Sequence, residues 1–332
     1  MASTMQIQLF AHLKSKLAEH LSLVDEVASL LGVSTDSAYR RIRGEKELSL
    51  EEAAKIASRF QLSLDSLFNV QNEGFLFHGS FLKSVPFDFD EYLRGVVGQV
   101  KMMNAFKEKQ MYYLCKDVPL FHHFHVREVA AFKYFFWMKT ILPQPHFSRK
   151  KFSFKDYPEE FFELGRQALE YYNRLDTVEI WNIESINSSI RQVEFHHESG
   201  GFENDEDAYR IYDGLEKIVE HLERQAAEGY KFNIEDAARS PQGKFEIYFN
   251  EVILGDNSVL ALLDGKKIAF LNHSVINIIH TTDMRFTESM YEHIQNLVKK
   301  STLISSVSEG ERARFFKYLR NRIISRKQNL KV

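Results

Sequence analysis

The sequence predicts a mainly α protein: five short helices at the N-terminus, a long helical region, and a C-terminal α+β part with a four-stranded antiparallel meander. Three observations predict it. In the first seventy residues, apolar side chains recur every three or four positions and are interrupted by glycines and capping serines. From about residue 88 to 235 the helical spacing continues in longer runs. After Pro241 it gives way to period-two alternation broken by turn pairs. The expected domains are residues 1–70, a linker at 71–87, a helical region at 88–235 and an α+β region at 236–332. A chain of 332 residues has length for two or three cores.

The first helix is expected from Met5 to His20, with Leu9, Leu13 and Leu17 in one stripe beside Phe10. Ser22, followed three positions later by Asp25, opens a second helix whose Val24, Val27, Ala28 and Leu31 face inward. Gly32 ends it, because a residue without Cβ takes the left-handed turn cheaply. Ser34 or Thr35 caps a third helix running to about Arg43, with Ala38 and Ile42 inward. Ser49 and Glu52 form a capping box for a fourth, burying Ala53, Ile56 and Ala57. A fifth begins near Ser63 and carries Leu64, Leu67 and Phe68.

Four runs then stand in order: Val27 to Ser34, Tyr39 to Lys46, Leu50 to Ala57 and Leu62 to Phe68. Together they resemble the lambda-repressor-like (XRE-type) helix-turn-helix family, in its BetR-like branch, over about residues 5–70. The resemblance implies that the second helix braces the third, whose outer face enters the major groove. Carried onto this sequence, it places Thr35, Asp36, Ser37 and Arg40 near base edges, with Tyr39 and Arg43 flanking them. Ser34 stands at the helix start, and Lys46 beside a phosphate. Arg40 is the candidate for a bidentate contact to guanine. Two positions depart from the family. Arg41 stands where a hydrophobic residue is usual and must snorkel or pair with an acid such as Glu51, and Asp36 must meet a cytosine amino group or cap the helix.

Charge alone does not point to nucleic acid. The whole chain is at −3, and residues 1–68 hold eight Lys and Arg against nine Asp and Glu. The case rests on where the cations stand, four of those eight being Arg40, Arg41, Arg43 and Lys46.

In the body, Tyr92, Val96, Val97, Val100, Met103 and Phe106 mark one helix within 88–114. The stretch from Val126 to Leu142 is so aromatic that it must be buried nearly all round, as core or as a dimer seam. Helices follow at Glu159 to Leu175, from an Asn182 cap to His197, and from Ala208 to Glu228, an array that is tetratricopeptide-like at best. Four strands are expected at Phe245 to Phe249 (its alternation continuing through Leu254), Ser258 to Leu263, Lys267 to Asn272 and Val275 to Thr281. Asp264-Gly265 is a type I′ hairpin signal between the second and third. Two closing helices follow, Thr287 to Lys300 and Ser308 to Arg326, the last with Phe315, Phe316, Leu319 and Ile323 inside and a basic outer face.

No phosphate-cradling loop, dinucleotide fingerprint or nucleophile elbow is present. Cys115, the one cysteine, is expected to be a buried structural thiol, and it excludes an intrachain disulfide framework. His122, His123, His125, His196 and His197 lack the i, i+4 pairing of a helical metal site and are expected to sit among aromatics. The 28 Phe and 14 Tyr build a core or interface, or a stacking platform for a ligand or single-stranded nucleic acid. The start has no basic region followed by an apolar core, and the most apolar run is too short for a bilayer, so a cytoplasmic protein is expected.

The functional expectation is a sequence-specific, one-component regulator that binds double-stranded DNA as a homodimer. Its body answers a small-molecule, peptide or protein effector by changing the spacing of two heads. Neither a cofactor, a metal, an enzymatic activity nor a membrane is expected. The alternative is a helical protein- or peptide-binding scaffold whose head only docks partners.

Overall fold

The computed structural model describes residues 4–17, 21–60, 62, 64, 74–79, 88–142, 144–252, 255–274 and 277–330. The chain divides into two compact units, Met1–Leu76 and Phe77–Val332. The fifth helix expected near Ser63, with Leu67 and Phe68, lies outside the described residues, as do most of residues 71–87 and Val275.

The N-terminal unit contains α1 (Thr4–Lys16), α2 (Leu23–Leu31), α3 (Thr35–Ile42) and α4 (Leu50–Arg59). Each of the last three opens on a serine whose hydroxyl accepts a backbone N–H three residues on: Ser22 from Asp25, Ser34 from Ser37 and Ser49 from Glu52. Glu52 returns the bond to the Ser49 N–H at 3.2 Å and completes the capping box. Gly32 stops α2 at φ +66° and Gly44 stops the chain after α3 at φ +75°. Leu9, Phe10, Leu13, Val27, Ala28, Ala38 and Ile56 form the core of this unit. Ala53 and Ala57, expected to be buried, are only half-buried, because α4 turns Ile56 alone fully inward.

The second unit is built on one seven-stranded mixed sheet, ordered β6-β5-β4-β1-β2-β3-β7. Its strands are β1 (Lys109–Cys115), β2 (Asp176–Trp181), β3 (Phe245–Phe249), β4 (Ser258–Leu263), β5 (Lys266–Asn272), β6 (Ile278–Thr281) and β7 (Thr302–Leu303). Strands β1, β2 and β3 run parallel at the centre, and β4, β5 and β6 continue antiparallel from the β1 side. The four-stranded antiparallel meander is therefore corrected to three strands. Phe245–Phe249 is a strand as expected, but β1 and β2 lie between it and β4. Period-two alternation identifies a strand and one solvated face; it does not name the neighbour.

The stretch read as wholly helical supplies the two central strands. Met111 to Cys115 and Thr177 to Trp181 are buried without a break. A strand covered on both faces has no alternation to show. Helices α5 (Phe89–Asn104), α6 (Arg127–Phe136), α7 (Glu159–Asn173), α8 (Asn187–Glu198), α9 (Glu206–Glu228) and α11 (Glu309–Asn329) supply the larger core, on the side of Met111, Tyr113, Trp181 and Ile247. The opposite face, with Tyr112, Leu114, Val178 and Ile180, is covered by Ile294 and its neighbours on α10 (Met284–Lys299). The tetratricopeptide-like array is thus also corrected: α5 pairs with α7 and α9 with α11, around crossovers that return the chain to the sheet. Helix α8 starts at Asn187 without a side-chain cap, whereas the Asn182 carboxamide accepts the Glu184 N–H in the preceding turn.

The aromatic helix resolves as core. Phe132, Phe135, Phe136 and Trp137 are buried within their own chain, Phe132 stacking on Phe202 and Tyr134 meeting Phe89 edge-on. A side chain already enclosed by its own fold cannot form a dimer seam, so that role is withdrawn from α6. Cys115 is fully buried beside Tyr113, and burial pushes its thiol well up. On α11, Phe315, Phe316, Leu319 and Ile323 are inside, and the basic outer face is engaged by acids: Lys327 with Asp213 and Glu216, Arg320 with Glu223, Arg326 with Glu194.

Candidate nucleic-acid interface

Helix α3 has two sides of different character. Ala38 is fully buried and Ile42 partly, against α2 and the head core. Thr35, Asp36, Tyr39, Arg40 and Arg43 are exposed, with the Arg40 and Arg43 side chains at 54% and 59%. The Arg43 guanidinium lies over the Tyr39 ring at 4.7 Å, a cation–π contact that fixes it without burying it. Glu45 sits 3.9 Å from Arg40 and 3.6 Å from Arg43. Such exposed pairs are worth little in water, so Glu45 can release both cations to phosphate or to a base.

The rear of the helix is locked by the residue that departs from the family pattern. Arg41 is buried, and its guanidinium donates to Glu52 at 3.0 and 2.7 Å in a bidentate pair. It also donates to the Ser37 hydroxyl at 2.6 Å and the Ser37 carbonyl at 3.2 Å. The partner is Glu52 rather than Glu51: Glu52 faces α3 because the capping box turns its carboxylate back toward Ser49. The Arg41 hydrogen bond holds the Glu52 carboxyl below the usual range, against some burial. Bidentate arginine–carboxylate geometry specifies orientation as well as proximity, so the pair sets α3 against α4.

A residue that sequence reasoning missed holds the other end. Gln6 of α1 is buried, and its amide nitrogen donates to the carbonyls of Arg41 at 2.7 Å and Lys46 at 2.8 Å. Its carbonyl oxygen accepts the Leu48 N–H at 3.0 Å. One side chain thereby satisfies three backbone groups at the end of α3 and in the turn beyond. A lone glutamine among polar neighbours gives no sequence signal of this.

Of the expected contact residues, the structure gathers Thr35, Asp36, Tyr39, Arg40 and Arg43 on one exposed face, with Ser34 exposed at its N-terminus and Lys46 exposed just beyond Gly44. Ser37 is different. It is half-buried and its hydroxyl receives Arg41, so its place is in the brace rather than at a base edge. The Ser34 hydroxyl is occupied by the Ser37 N–H at 3.2 Å. Asp36 lies in the first turn, where a carboxylate favours the helix dipole.

The histidines singled out in the sequence lie elsewhere, in the second unit. His122, His123 and His125 are buried in a 3-10 turn, Leu120–His125, and His196 packs edge-on against Phe132 and Phe135.

Among proteins of known families, residues 14–78 match the model of the BetR domain, a helix-turn-helix type. The match begins near the end of α1, spans the rest of the N-terminal unit and ends two residues beyond it. No curated protein and no solved structure matches the chain.

Proposed function

We propose that the protein is a sequence-specific transcriptional regulator whose BetR-type head reads double-stranded DNA through α3. The observation that carries this is the two-sidedness of that helix. Arg40, Arg43, Tyr39, Thr35 and Asp36 are exposed on one side, while Arg41, Glu52 and Gln6 hold the other rigid. A rigid helix presenting two arginines suits the major groove, where a bidentate arginine reads guanine at about 1–3 kcal/mol of discrimination. Tyr39 and Lys46 serve the backbone phosphates. One such head buries too little surface for tight specific binding, so the protein acts as a homodimer on two half-sites, about 34 Å apart or a multiple of that. The second unit carries no catalysis and no cofactor in this reading; it sets the spacing of the heads and answers an effector. The protein works in the cytoplasm, and among the described residues no helix is long and apolar enough to cross a membrane.

Selection from a random duplex pool at stated salt tests the proposal. A palindromic or directly repeated motif is expected, lost on Arg40→Glu/Arg43→Glu substitution with the far-ultraviolet spectrum unchanged. Retention of DNA by that double variant, or no enrichment by the native chain, overturns it and leaves the head as a docking module for protein partners.

A further inference from the structure

The segment that opens the second unit lies along the β6 edge of the sheet. Phe77 is the first residue of that unit. His78 forms an antiparallel bridge with His280 of β6, the outermost strand on that side. The two residues exchange both backbone bonds: the His78 N–H donates to the His280 carbonyl at 2.7 Å, and the His280 N–H to the His78 carbonyl at 2.8 Å. Their neighbours alternate as in a strand. Phe77 meets Phe286 of α10 edge-on at 5.1 Å, on one face of the sheet. A Cβ on Gly79 would fall 2.7 Å from the Ile279 Cγ2 atom, so the missing side chain lets the backbone lie this close. His78 belongs to the other face, in a row that continues through His280 to Phe270 of β5.

Residues that exchange both bonds across an antiparallel pair send their side chains from the same face, with Cβ atoms ~4.5–5.5 Å apart. The two imidazoles accordingly lie side by side, ring centres 5.6 Å apart and planes tilted by 35°. Among the described residues, no hydrogen bond or ion pair engages either ring. His78 is exposed and His280 half-buried, so the pair is open to solvent. Two metal–nitrogen bonds of ~2.0–2.1 Å meeting near the tetrahedral angle hold ring centres about 5 Å apart, a small ring rotation from the separation observed.

We infer that His78 and His280 form a two-imidazole site for a nitrogen-preferring divalent transition ion, of the nickel and zinc class, which clips residues 77–79 to β6. Imidazole suits nickel, copper and zinc, whereas magnesium and calcium take oxygen ligands. No third protein ligand joins the pair among the described residues, and Asp283, just beyond β6, is taken by Arg285 at 3.1 Å. Water completes the coordination. Two protein ligands hold an ion less tightly than the three or four of a catalytic or structural zinc site, so the ion exchanges with its surroundings. Among the described residues the segment is otherwise held by one backbone pair and one ring contact. The ion adds a further attachment where the chain enters the second unit. The inference goes beyond the DNA reading and stands on the second unit alone.

Isothermal titration of the untagged full chain at pH 7.5 tests it, with nickel chloride and zinc chloride as probes and magnesium chloride as the control. Nickel is expected to bind more tightly than manganese, in the order nitrogen ligands impose, and magnesium not at all. His78→Ala and His280→Gln should each weaken nickel binding at least about tenfold, with the metal-free melting curve unchanged. His146→Ala, at another exposed histidine, should leave it unaltered. Hydrogen exchange of peptides covering residues 77–79 and Ile278–Thr281 should slow about tenfold under saturating nickel in the native chain, and in neither His78→Ala nor His280→Gln. No nickel binding, undiminished binding by His78→Ala or His280→Gln, equal uptake of magnesium, or exchange unmoved by nickel overturns the assignment. The Arg40→Glu/Arg43→Glu chain should bind nickel normally, so failure of the DNA reading and failure of this one are separable.

Discussion

Replacing Arg41 by methionine removes four hydrogen bonds, two to Glu52 at 3.0 and 2.7 Å and two to Ser37 at 2.6 and 3.2 Å. Bonds to charged groups are worth ~1.5–3 kcal/mol each in net terms, but they do not add in full here. The Glu52 side chain is 21% exposed and keeps the Ser49 N–H, so water and the capping box recover part of the loss. The methionine also retains the apolar packing of the arginine stem. The expected cost is about 2 kcal/mol in the local opening of α3 from α4, or roughly 30-fold faster amide exchange where opening limits it. Hydrogen exchange of the full chain read by mass spectrometry, on peptides covering Thr35–Ile42 and Leu50–Arg59, measures this. In a double-mutant cycle with Glu52→Gln, the coupling should reach about 1 kcal/mol. The sign with pH follows from the depressed Glu52 carboxyl. Its contribution is complete above the unfolded value near ~4.3 and is lost as pH falls through the lower folded value. The gap between native and Arg41→Met exchange should therefore close in acid. Exchange in α3 and α4 unaltered at pH 7, or additive single effects, refutes the view that this pair orients the reading helix.

Four further outcomes are expected. Arg40→Ala should relax base preference at one operator position by ~1–3 kcal/mol, while Lys46→Ala should weaken all sequences alike and lower the salt slope by about 1, both read by binding isotherms across salt. Gly32→Ala should cost about 1 kcal/mol, measured by the same exchange assay on α2, because φ is +66° and nothing lies within 4 Å to add a clash. Gly165→Ala is different in kind: its Cβ would fall 2.0 Å from the Phe124 ring, so overpacking of about 1–3 kcal/mol should appear as an earlier thermal transition of the second unit. Lys231 is fully buried, and burial lowers its pKa to about 7. Between that value and the unfolded one near ~10.4 the unfolded chain holds the extra proton, so stability from this group rises with pH across the window. Lys231→Met should flatten that rise in denaturant titrations at stepped pH, and an identical slope would exclude the assignment.

The head was legible because its signals are local. Ser22, Ser34 and Ser49 each cap the helix they precede, Gly32 takes the left-handed turn, and Leu9, Leu13, Val27, Ala38 and Ile56 fall inward at helical spacing. The partner of Arg41 and the role of Gln6 were not legible. Each depends on which of several polar side chains a neighbouring helix turns inward, separations of 11 residues for Arg41–Glu52 and 35 for Gln6–Arg41.

In the second unit, the sequence by itself determined that α5, α7, α9 and α11 are helices, that Ser258–Leu263 and Lys266–Asn272 form a hairpin, and that the aromatics of α6 are buried, whether as core or as a dimer seam. Period, caps and turn pairs act within a few residues, so they survive reading in one dimension. Only the tertiary structure decided that the aromatics of α6 are core, that β1 and β2 are strands, and that they separate β3 from the hairpin. Parallel pairing across long crossovers is chosen by the whole core, since every apolar face must find cover at once. No local pattern records that choice.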